Sequence, residues 1–110
     1  MLKIEDSTRK NGTVLTLAGT VDMYASPDLK SRLDGLTDGR AARIVIDLSG
    51  VEFIDSSGLA ALVGTQRRMK RYEGRLQLAG PTDRVRDVFA LMQLTEFFEI
   101  RGSVEEALGA

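Results

Sequence analysis

The run from Arg43 to Gly64, R-I-V-I-D-L-S-G-V-E-F-I-D-S-S-G-L-A-A-L-V-G, sets an apolar, β-branched segment directly against one of helical spacing. Arg43 to Ser49 has the composition of a central strand covered on both faces. Val51 to Ile54 is a second strand-like run. Beyond it, Leu59, Leu62, Val63, Gln66 and Met69 mark one face of a helix. Between strand and helix stand Asp55, Ser56 and Ser57, all good N-cap residues. A strand that passes straight into a helix is the repeating unit of α/β architecture.

The same alternation extends in both directions. Leu2–Ser7 and Thr13–Leu17 nearly alternate apolar and polar residues, as half-buried strands do, and Asn11-Gly12 between them favours a tight hairpin. Ser26-Pro27-Asp28 reads as a helix start, with serine as N-cap and proline at the first helical position. Leu29, Leu33 and Leu36 keep helical spacing until Gly35 or Gly39. After Gly74, Arg75–Ala79 reads as a strand, and Gly80-Pro81 turns into a helix capped by Thr82 with an apolar face of Val85, Val88, Phe89 and Met92. A short strand at Phe97–Ile100 and a helix capped by Ser103 follow. The expected fold is α/β: a mixed, mainly parallel sheet with an N-terminal hairpin and about four helices, in one domain spanning residues 1–110. Right-handed crossovers put neighbouring strands side by side. The loops carrying Asp22 and Asp55 then leave the same edge of the sheet, where open α/β sheets bind their ligands.

Composition narrows the chemistry. The chain has no cysteine and no histidine, so disulfides, thiolate metal sites and a Ser-His-Asp triad are excluded within it. No cofactor is expected. A formal net charge of −1 gives no electrostatic reason to expect nucleic acid, and neither a bilayer-length apolar run nor a signal-peptide pattern is present, so no direct membrane contact is expected. A cytoplasmic location is the simplest reading. No Walker-type loop occurs, because Gly64-Thr65 lacks a preceding lysine, which argues against nucleotide hydrolysis and against an enzyme.

Three readings of the serines follow. They cap the helix, or one is a nucleophile, or one accepts phosphate from a separate kinase. A nucleophile needs an activating base that this chain does not offer. A helix N-terminus, with free N–H groups and a partial positive charge, would welcome a phosphate. Nearby residues carry paired readings too. Asp22 makes an Asx-turn before Tyr24 and Ala25, or it contacts the acceptor loop or a partner. Gly58 relieves crowding or lets a partner approach. Met23 and Tyr24 are apolar contacts for a partner or lids on the core, the lid being the first choice. Arg67, Arg68, Lys70 and Arg71 read as a solvated helix end.

The run I-D-S-S-G-L, the upstream L-A-G-T-V-D ending at Asp22, I-V-I-D-L-S and L-Q-L-A-G-P together resemble the STAS domain family of bacterial anti-sigma factor antagonists. The resemblance covers nearly the whole chain. It implies partner switching: the unphosphorylated protein binds a serine-kinase anti-sigma factor and so releases a sigma factor. That kinase, using its own ATP, phosphorylates the serine after the aspartate, and a phosphatase restores the binding form. Carried over, the acceptor is Ser56, with Ser57 a weaker candidate, while Asp22, Asp55, Ser57, Gly58, Met23 and Tyr24 form the partner surface. The alternative is a STAS-type regulatory subunit of a membrane transport system, which would not need a serine in that position.

Overall fold

A computed structural model describes residues 1–110. The chain folds as β1 (Leu2–Arg9), β2 (Gly12–Val21), α1 (Ser26–Asp38), β3 (Arg43–Ile54), α2 (Ser56–Arg71), β4 (Arg75–Ala79), α3 (Asp83–Leu91), β5 (Glu99–Arg101) and α4 (Val104–Gly109). The five strands lie in sequence order; β1 and β2 are antiparallel and every later neighbouring pair is parallel. This is the expected α/β architecture, hairpin and four helices included. No helix is long and apolar enough to cross a membrane.

The sheet separates two unequal apolar layers. On one face Leu15, Leu17, Ile44, Ile46, Leu48 and Leu78 pack against Leu29 and Leu33 of α1, Leu59, Leu62 and Met69 of α2, and Val85 and Phe89 of α3. On the other face only α4 is docked, its Ala107 against the small group Val14, Val45 and Ala79. The full burial of Val45 between Ile44 and Ile46 is what a strand covered on both sides requires.

Four details depart from the sequence reading. The two strand-like runs before Asp55 are one strand: β3 continues through Ser49-Gly50 to Ile54, with register shifts against β2 around Thr16–Thr20 absorbing the irregularity. Ser26 is not the N-cap of α1. It lies inside the helix, and Ala25 precedes it without a side-chain cap. Met92, assigned to the apolar face of α3, is instead the residue after that helix and is about half exposed. The last strand is shifted to Glu99–Arg101, because Phe97 and Phe98 stack edge-to-face against each other and Phe98 against Phe89, drawing them into the core rather than into the ladder.

Candidate functional site

Parallel pairing of β2 and β3 places Val21 opposite Ile54, so the residues that follow them, Asp22 and Asp55, emerge at one edge. The Asp55 N–H donates to the Val21 carbonyl at 3.0 Å and ties the two loops together. The juxtaposition inferred from topology is present.

Asp55 is the N-cap of α2 in extended conformation. Its Oδ1 accepts from the Ser57 N–H at 2.9 Å, the Ser57 hydroxyl at 2.6 Å and the Gly58 N–H at 3.2 Å. The Ser57 hydroxyl, followed by the amides of Gly58, Ser57 and Met23, holds the carboxyl below its ordinary pKa, against the opposing effect of partial burial. The helix tip is therefore partly filled. Of the free N–H groups expected to greet a phosphate, those of Ser57 and Gly58 already serve Asp55, and only that of Ser56 itself is unpaired.

The two serines are not equivalent. Ser56 is exposed, and its hydroxyl has no protein partner. Ser57 is half-buried, its hydroxyl donating to Asp55 and lying 2.9 Å from the hydroxyl of Ser26, which in turn reaches the Asp22 carbonyl at 2.6 Å. Two hydroxyl protons thus serve three short contacts linking α1, α2 and both loops. Phosphorylation of Ser57 would break this chain of contacts. Ser26, read from sequence as a cap, is the element missed; no local signal distinguishes its cap reading from this one.

Asp22 makes the Asx-turn: its Oδ1 accepts from the N–H groups of Tyr24 and Ala25, both at 3.0 Å. That turn lifts Met23 and Tyr24 off the protein, 65% and 86% exposed, which corrects the assignment of these residues as core lids. Gly58 goes the other way. It is buried, and a Cβ there would meet Val21 Cγ1 at 2.6 Å, Ile54 Cγ1 at 2.8 Å and the Val21 carbonyl at 2.9 Å, so it offers no surface to a partner and its role is packing. Met23, Ser26, Pro27, Lys30, Ser57, Ala60 and Ala61 line a hollow of about 370 Å³ between the starts of α1 and α2. The basic end of α2 is split: Arg67, Lys70 and Arg71 are solvated, but Arg68 turns inward to Asp34 of α1 at 2.6 Å.

The geometry therefore presents one free, exposed hydroxyl at a helix start, on the sheet edge that also carries the Asp55 carboxylate, the Asp22 turn and the protruding Met23 and Tyr24. Residues 3–107 match the family profile described as the STAS domain. The chain is 28% identical over 104 residues to the anti-sigma-B factor antagonist of Bacillus subtilis (strain 168), covering 94% of each. In three dimensions it is similar to an anti-sigma factor antagonist from Mycobacterium paratuberculosis, with TM-score 0.91 and 24% identity over 99% of this chain and 92% of that one. It is also similar to the Bacillus cell fate determinant SpoIIAA in the phosphorylated form, with TM-score 0.76 and 24% identity over 99% and 97%.

Proposed function

The chain belongs to the STAS domain family, and on that premise we propose that it is an anti-sigma factor antagonist, a non-enzymatic regulator whose binding is switched off by phosphorylation of Ser56. The partner is a serine-kinase anti-sigma factor that brings its own ATP, with a phosphatase to reverse the modification. The observation that carries this reading is the contrast between neighbouring hydroxyls: Ser56 exposed and unengaged, Ser57 donating to Asp55 and in contact with the Ser26 hydroxyl. The relatives named as anti-sigma-B factor antagonists, and the structure of SpoIIAA in a phosphorylated form, support it.

The switch works by charge, without refolding. Phosphoserine adds about −1.5 to −2 at neutral pH. At roughly 6 Å from an anionic group of a docked partner, with an effective dielectric near 20, each pair of unit charges repels by about 3 kcal/mol. Half of that, after screening, weakens binding by about tenfold or more. Asp55 adds to the negative charge of this edge, its carboxylate held in place by the helix amides.

The test is incubation with serine-kinase anti-sigma factors and ATP, followed by peptide mass spectrometry. Phosphate is expected on Ser56 alone; Ser56→Ala stays unmodified and still binds, while the phosphorylated protein loses the partner. Phosphate found on Ser57, or undiminished binding by the phosphorylated form, refutes the reading.

A further inference from the structure

The longer of the sheet's two edges is open. β1 runs for eight residues and pairs only with β2, whereas β5 at the opposite edge has three. A long strand with unpaired outward N–H and C=O groups is a template for another strand. Two adjoining hollows, about 510 and 300 Å³, lie between this edge and α1; Leu2, Ile4 and Asp28 wall both of them. The apolar side chains of the edge are thus left half-covered.

We propose that β1 of a second copy fills this edge, forming a two-fold dimer with one sheet continuous across both chains. Backbone and charge fix the register. The Thr20 N–H donates to the Met1 carbonyl, and Leu2 lies opposite Gly19 in the ladder. Alternate residues of an antiparallel pair face the partner strand, so the backbone groups of Leu2, Ile4, Asp6 and Thr8 point outward. An antiparallel β1–β1 pair must match these residues with one another. With Ile4 on the two-fold axis, Lys3 of each copy lies opposite Glu5 of the other, and the two Ile4 side chains meet over the hollows. Moving the axis to Lys3 or to Glu5 sets a charge against itself, and moving it to Asp6 sets Lys3 against Arg9. An axis at Ser7 also pairs opposite charges, Glu5 with Arg9, but sets Ile4 against Lys10; only the Ile4 register both pairs opposite charges and joins the two Ile4 side chains over the hollows. Lys3 and Glu5 are largely exposed, 74% and 65%, on the sheet face away from α1, where they pair with each other at 3.1 Å; in the dimer that one exposed pair is exchanged for pairs across the seam.

The test is sedimentation velocity on the full chain across concentration. The wild type is expected to dimerise. Lys3→Glu and Glu5→Lys each set like charges opposite one another twice and weaken the dimer by about tenfold or more. An equimolar mixture of the two variants restores it, because each then faces its opposite, and the double exchange Lys3→Glu with Glu5→Lys dimerises on its own. Ile4→Pro removes an outward N–H that β2 does not use and gives a monomer with unchanged circular dichroism. A wild type that stays monomeric at millimolar concentration leaves the edge to some other strand and overturns the proposal. A dimer indifferent to the single charge changes, or variants that fail to recombine on mixing, overturn it as well.

Discussion

At Ser56 and Ser57, two adjacent hydroxyls of one chemical type have been given different fates by their neighbours. Ser57 points back along the helix start into the Asp55 carboxylate and across to Ser26; Ser56, one residue earlier, points to water. What lets the start of α2 sit against the ends of β2 and β3 is Gly58. Any side chain there presses on Val21 and its carbonyl, the acceptor of the Asp55 N–H. Gly58→Ala is therefore expected to destabilise the protein by about 2 kcal/mol, as overpacking of a dense interior does. Urea unfolding measures it; an unchanged midpoint would show that α2 can shift outward without cost.

Among the elements, α2 contributes most to the site, and its start depends on one residue. Asp55 satisfies two helix amides that are otherwise unpaired, accepts the Ser57 hydroxyl and ties its own backbone to β2. Asp55→Ala should cost about 1–2 kcal/mol, the usual loss for an N-cap. It should also free the Ser57 hydroxyl, so that modification by the kinase is no longer confined to Ser56. Thermal unfolding and peptide mapping read the two effects separately. At its far end α2 is fastened to α1 by Arg68, whose guanidinium meets Asp34 and lies 3.3 Å from the Thr37 hydroxyl. The helix pair that frames the hollow is thus joined at both ends, consistent with a surface that keeps its shape when phosphorylated.

For the molecule as a whole, two predictions concern stability. Phosphorylation of Ser56 adds charge at an exposed position and disturbs none of the bonds that hold α2, so the melting temperature should change by only a few degrees, about 1 kcal/mol or less. Scanning calorimetry of the modified protein checks this, and a collapse of helix signal would exclude a charge-only switch. Acid, by contrast, should act far from the site. Glu99 of β5 is held by Arg75, then by Gln77 and Arg101, and its pKa falls from 4.5 to about 2. A carboxylate lowered in the folded state contributes stability above its unfolded pKa and loses it as pH falls toward the folded one. The loss should run from about pH 4.5 down to about 2. Allowing for partial exposure it amounts to roughly 1–3 kcal/mol. Urea midpoints of the wild type should drop across that interval and those of Glu99→Gln should drop less; parallel curves would remove Glu99 from the account.

The order of elements, the caps at Thr82 and Ser103, and the direction of the sheet were legible in the sequence, because each rests on spacing and hydrogen bonding within a few residues; for α2 the sequence offered Asp55, Ser56 and Ser57 alike, and the structure selects Asp55. The same local logic failed at Ser26, whose position before proline mimics a cap, and at Met23 and Tyr24, whose apolar character suggested the interior. Which serine is free was decided by the fold: the bond from Ser57 to Asp55 is local, but the contact with Ser26, 31 residues away in the chain, is tertiary. Contacts of that range are set by how strands pair and helices pack, and no local pattern of residues encodes them.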